Sequence, residues 1–108
     1  MALNQFSRTQ LLLGQESMDL LANATVAVFG IGGVGGYTVE ALARSGVGHF
    51  VLVDDDKVCL TNINRQIIAT RSSVGKYKVD VMKERILDIN PKAEVEAVSY
   101  THLTLPTK

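Results

Sequence analysis

The chain of 108 residues has no tryptophan, two prolines, a single cysteine and no net charge, with 11 basic and 11 acidic residues. Each scarcity excludes something. One cysteine, Cys59, can close no disulfide within the chain and cannot alone build a structural metal site, which fits a reducing compartment. Balanced charge leaves no overall field for nucleic acid, so a polyanion would have to meet a local patch. Apolar runs are only a few residues long, against about 20 needed to span a bilayer. The opening ten residues also lack the basic-then-apolar order of a secretory signal. A cytoplasmic protein without membrane association is the expectation. Apolar residues at 46% and charged residues at 20% exclude disorder and collagen-like repeats. The length allows one domain and leaves no room for a second, substrate-binding one.

Residues 1–24 mix polar residues with Leu11-Leu12-Leu13, Met18, Leu20 and Leu21, which predicts one or two short helices packed on the edge of the core. Thr25-Val26-Ala27-Val28-Phe29 is β-branched, aromatic and closed by glycine, the pattern of a strand buried on both faces. A glycine-rich turn follows. Residues 34–45 read as a helix with Val39, Leu42 and Ala43 toward the core, stopped by Gly46 and Gly48. Residues 49–53 form a second buried strand ended by Asp54-Asp55-Asp56, so 25–53 is a βαβ unit whose crossover should be right-handed. A short helix is expected over 62–68 and a longer one over 76–89, where Val79, Met82, Ile86 and Ile89 share a face. On that helix Lys83 and Arg85 read as a solvated face. Residues 94–98 alternate and make a third strand nearer the sheet edge.

The expected fold is therefore α/β: a Rossmann-like parallel sheet with helices on both faces, forming an incomplete domain over 25–98 after the helical segment 1–24. Residues 99–108 continue no period. They resemble translated adapter read-through at the end of a gene fragment, so they are expected to be an unstructured, non-native tail on an N-terminal fragment.

The chemistry concentrates in Gly30-Ile31-Gly32-Gly33-Val34-Gly35-Gly36. Gly30, Gly32 and Gly35 make G-x-G-x-x-G directly after a strand and at the start of a helix, the context that turns a weak string into a strong signal. Glycine lets a phosphate approach main-chain N–H groups, and the helix N-terminus adds unpaired donors and about half a positive charge. Asp54, which follows Gly35 by 19 residues at the end of the second strand, is placed to accept hydrogen bonds from ribose hydroxyls. These residues fit a dinucleotide such as NAD and a mononucleotide such as ATP equally. Downstream, Thr61-Asn62-Ile63-Asn64-Arg65-Gln66 and Gly75-Lys76-Tyr77-Lys78 add fixed cations. A triphosphate being cleaved needs these and a hydride site does not.

The ordered set GIGGVGG, VDDD, TNINRQ and VGKYK resembles the ubiquitin-activating-type adenylating superfamily over residues 25–98. SRTQLLLG, ALARSGVGHFVLVDDDKVCLTNINRQ and VMKERILDINP are most similar to its tRNA threonylcarbamoyladenosine dehydratase branch. The resemblance implies ATP-dependent adenylation of a carboxylate on a modified tRNA adenosine by a homodimer. In that scheme Gly30, Gly32, Gly33 and Gly35 form the phosphate loop and Asp54 holds the ribose. Asn62, Arg65 and Gln66 lie over the phosphates, with Arg65 and Lys78 as triphosphate contacts, and Arg8 reaches into the neighbouring subunit's site. Mg2+ would take its protein ligand beyond this segment, and no metal ligand is expected within it. The alternatives are adenylation of a ubiquitin-like sulfur carrier, with a sulfur-transfer protein as partner, and an NAD-binding oxidoreductase domain or a nucleotide-binding module without chemistry.

Three further residues carry weaker signals. Cys59 lies in the apolar triplet Val58-Cys59-Leu60 and reads as packing rather than as an acyl-accepting thiol. His49 has no ligand-spaced partner and reads as structural. Tyr37, on the first turn of the first βαβ helix, reads as packed rather than stacked on a base.

Overall fold

The computed structural model of the chain describes residues 3–99. Three parallel strands, β1 (Thr25–Phe29), β2 (His49–Val53) and β3 (Glu94–Val98), stand in the order β1-β2-β3. Four helices accompany them: α1 (Ser7–Leu13), α2 (Gln15–Asn23), α3 (Val34–Ser45) and α4 (Lys78–Ile89). All three strands and α3 have the bounds that hydrophobic patterning predicts. No helix among the described residues is long and apolar enough to cross a membrane.

The register places Val26, Phe50 and Val95 in one lateral row and Val28, Leu52 and Ala97 in the next. Both rows pack on a cluster that includes Val39, Ala43, Val79, Met82 and Ile86 from α3 and α4. Fully enclosing a side chain such as Phe50 or Leu52 contributes about 1.5–3 kcal/mol. Because the sheet grows in one direction, two right-handed crossovers lay α3 and α4 on the same face, where they pack against each other. Among the described residues the opposite face carries no such layer. Hence β1 is not buried on both faces: its residues alternate between exposed and half-buried, and Phe29 is 68% exposed. The continuous apolar run of β1 records what both faces can pack against, while only the helix-bearing face is filled here.

The ends of α1 and α2 gather at the amino end of the strands. Gly48 and His49 donate their backbone N–H groups to Leu21 and Ala24 at 3.2 Å each, and Gln5 Nε2 donates to the Ile89 carbonyl at 3.0 Å. Leu11 and Leu12 of α1 remain 88% and 85% exposed. His49 sits opposite Glu94 in register, Nδ1 to Oε1 3.7 Å.

Two helices differ from expectation. In place of a helix over 62–68 there is one 3-10 turn, Leu60–Asn62, followed by turns. The Asn62 carbonyl accepts the N–H groups of both Arg65 and Gln66, at 3.1 and 2.9 Å. Its side chain accepts from Cys59 N–H at 2.8 Å, the local competition with helix that asparagine offers. Helix α4 begins at Lys78, two residues late, because Lys76 and Lys78 are taken by antiparallel pairing to the segment after β2. Val58 N–H donates to Lys76 O at 2.8 Å and Lys78 N–H to Asp56 O at 3.0 Å.

Arg85 is not on a solvated face. Its Nε donates to Glu40 Oε1 at 2.5 Å, while Arg44 Nε donates to Glu40 Oε2 at 2.6 Å. Glu40, on α3, is only 8% exposed. Burial pushes its pKa up, but the hydrogen bonds and charges of Arg85 and Arg44 outweigh that and leave it below the ordinary carboxylate value.

Candidate nucleotide site at the carboxyl end of the sheet

The glycine turn closes β1 at the carboxyl end of the strands. Gly30 donates its N–H to Val53 O at 2.8 Å, which ties the start of the turn to β2. Gly30 and Gly33 have φ of +91° and +57°, values that L side chains rarely adopt. Gly35 is required by proximity instead: a β-carbon there would lie 1.7 Å from the Gly30 carbonyl oxygen. Gly36, where a serine would supply one more hydroxyl, is less tight but still crowded, its β-carbon position 2.6 Å from Ile31 O. Among the described residues, no acceptor takes the backbone N–H of Gly32, Gly33, Val34 or Gly35. These donors and the N-terminus of the 12-residue α3 give this end of the sheet a partial positive charge suited to an anion.

Asp54 clamps this turn. It is 8% exposed, and its Oδ2 accepts the Ile31 N–H at 2.7 Å while Oδ1 accepts the Asp56 N–H at 2.8 Å. Ile31, itself fully buried, is the anchor that sequence reading overlooked. An apolar residue inside a glycine run is the signal that could have found it. Each Asp54 oxygen keeps a further lone pair for a ribose hydroxyl. Carboxylate oxygens of Asp54, Asp55 and Asp56 lie within 4.8 Å of one another, but the group does not fit a magnesium site. The Lys78 ammonium stands 3.9 Å from Asp56 Oδ2 and repels a second cation there, and Asp55 and Asp56 are both exposed.

Lys78 is the buried cation of the site, 7% exposed at the first position of α4. The antiparallel pairing of 56–58 with 75–78 delivers it there, and Lys57 caps the same strip by lying 5.2 Å above the Tyr77 ring. Asp55, Asp56, Lys57, Cys59, Asn62 and Lys78 line one open cavity of about 510 Å³. Asn62 is 9% exposed and holds its Oδ1 on Cys59 N–H, which leaves its Nδ2 available as a donor.

Arg65 is exposed on the same loop, its Nη1 donating to Thr61 O at 3.1 Å and Asn64 Oδ1 at 2.9 Å. Gln66 reaches back onto the turn: its side-chain amide fills the space beside Gly32, 2.9 Å from where a β-carbon would be.

The geometry therefore brings Gly30, Gly32, Gly33, Gly35, Asp54, Asn62, Gln66 and Lys78 to one end of the sheet, with Arg65 on the bordering loop. It does not bring Arg8 there. Arg8 is exposed on α1, two residues from Phe6, which lines a cavity with Gly46 and Asn90 at the amino end of the strands.

Two packing expectations fail. Cys59 is exposed, because of its triplet only Val58 turns inward while Leu60 is 66% exposed. Tyr37 is 53% exposed, since it lies on the side of α3 away from the core formed by Val39 and Ala43.

Residues 6–104 match the ThiF family model. The chain belongs to the ThiF family. It is 57% identical over 104 residues to tRNA threonylcarbamoyladenosine dehydratase of Bacillus subtilis, covering 94% of this chain and 41% of that protein. With the Escherichia coli protein of the same name it shares 50% identity over 94 residues, 87% of this chain and 35% of the relative. The crystal structure of the E. coli enzyme in complex with ATP superposes with a TM-score of 0.83 at 50% identity, covering 87% of this chain and 38% of that one. The ThiF-family chain thus spans about two fifths of the length of the relatives it matches.

Proposed function

We propose that this chain binds ATP at the carboxyl end of its sheet, and that the protein carrying it adenylates the carboxylate of threonylcarbamoyladenosine in tRNA, leading to cyclisation with net loss of water. The observation that carries the reading is the pairing of a row of unengaged backbone N–H donors at the glycine turn with a buried lysine that has one loose partner. The 50% identity to a protein crystallised with ATP supports it.

In this reading the turn holds the phosphates and Asp54 accepts from the ribose. The substrate carboxylate attacks the α-phosphorus, the bond to the bridging oxygen breaks, and pyrophosphate departs to leave an acyl adenylate. A nucleophile of the same modified base then displaces AMP. Negative charge gathers on the bridging oxygen as the bond breaks. Fixed cations from Arg65 and Lys78 therefore help the transition state more than the ground state. A nicotinamide riboside, cationic when oxidised and neutral when reduced, would meet these same cations with no negative charge to pair with them, which disfavours the oxidoreductase reading. Magnesium accompanying the triphosphate would draw its protein ligand from outside the described residues. Arg8, at the amino end of its own sheet, can serve a nucleotide site only in a second copy. The exposed Leu11 and Leu12 beside it supply apolar surface for such a homodimer in the cytoplasm.

The test is pyrophosphate release with tRNA carrying threonylcarbamoyladenosine, on a protein that joins this segment to the remainder of its relatives' length. Arg65→Ala and Lys78→Ala should each raise the barrier by about 2–4 kcal/mol, and lower turnover more than they weaken ATP binding. Release that depends on a ubiquitin-like sulfur carrier and its sulfur-transfer partner, and not on tRNA, would replace the substrate and keep the nucleotide site. Turnover indifferent to both cations would overturn their role.

A further inference from the structure

Gln66 carries an anomaly that ATP binding alone does not account for. Its Oε1 is fully enclosed and meets no donor among the described residues. An enclosed acceptor without a donor is costly, and a methionine or leucine would fill the same volume without that cost. Such groups call for a partner that arrives with a ligand or for a role in function.

The placement of this amide is not accidental. Gln66 N–H is fixed on Asn62 O at 2.9 Å, its carbonyl accepts Ala69 N–H at 3.0 Å, and Ile68 just beyond is 2% exposed in the core. The backbone thus drives the side chain onto Gly32, where Nε2 and Oε1 both lie 2.9 Å from the missing β-carbon. Beside that orphan acceptor stand the N–H groups of the turn, which also lack partners.

We propose that Gln66 is a positioning residue that acts through the glycine turn. When phosphate enters the turn, Oε1 accepts one turn N–H and so fixes the remaining N–H groups on the phosphate oxygens. It also sets the gap between the turn and the loop that carries Arg65. This rests on the ATP reading given above. It explains why position 32 has no side chain although its φ is not positive: the space belongs to Gln66.

The experiment combines calorimetric titration of ATP and of adenosine with denaturant melts, on the 108-residue chain. The variants are Gln66→Met, Gly32→Ala and the double substitution Gly32→Ala with Gln66→Ala. Gln66→Met, similar in size but without the amide, should fold at least as stably as the wild type. It should bind ATP about tenfold or more weakly, since hydrogen bonds that involve charged groups are worth that much, and bind adenosine as before. Gly32→Ala should destabilise the fold, and adding Gln66→Ala should restore stability without restoring ATP affinity. Wild-type ATP affinity in Gln66→Met overturns the proposal, as does an equal loss of ATP and adenosine, which marks a general structural role. A wild-type chain that binds no ATP overturns the nucleotide reading together with this one.

Discussion

Two buried charges, one at the α3–α4 interface and one at the carboxyl end of the sheet, are treated in opposite ways. Glu40 is held by two guanidiniums at 2.5 and 2.6 Å, so its charge is neutralised by the fold itself. Lys78 is as deeply enclosed, yet its only ion pair among the described residues is to Asp56 at 3.9 Å. Taking an ammonium out of water without a close counter-charge is costly. The chain accepts that cost at one end of the sheet and avoids it at the other. The difference separates a clamp that joins two helices from a cation whose charge the fold leaves largely unpaired.

Breaking the clamp should give the largest effect. Glu40→Ala leaves Arg44 and Arg85 without their shared acceptor, and both are partly solvated, with 60% and 36% of their side chains exposed. The expected loss is therefore about 2–3 kcal/mol, below the full range for a buried pair, read from the midpoint of a denaturant melt. ATP affinity should stay unchanged. Lys78→Met sharpens the contrast from the other side. Replacing an under-paired buried cation by an apolar chain of similar length should change stability by less than about 1 kcal/mol, or raise it.

Acid provides the mildest perturbation. Glu40 has a folded pKa below its ordinary value of 4.5, so its contribution to stability is present above that value and fades as pH falls through the folded pKa. Melts should show stability declining below about pH 4.5, with a shallower decline in Glu40→Gln. An identical pH profile in the two proteins would contradict the clamp.

Much of this is legible in the sequence, and the reason is local. The strand bounds and α3 follow from hydrophobic period and glycine, which act over a few residues. The site's placement followed from the spacing between the turn and Asp54. What patterning missed depends on distant partners. Arg85 meets Glu40 across 45 residues, so its helix position alone reads as solvated. The loop around Cys59 takes its form from pairing with Lys76 and from the Asn62 side chain, neither of which has a period. The hold of Asp54 on Ile31 is likewise a contact between a strand end and a turn that only the fold brings together. The open face of β1 was misread because an apolar run states what a strand can bury and not which layer is present.

The central claim is that Lys78 and the turn together await a triphosphate. The most direct measurement is calorimetric titration of ATP, adenosine and NAD into the wild-type chain and Lys78→Met. The account predicts that the wild type prefers ATP over both others and that Lys78→Met loses about ten- to a hundredfold in ATP affinity with adenosine unaffected. NAD binding as tight as ATP, or ATP affinity indifferent to Lys78, would contradict it.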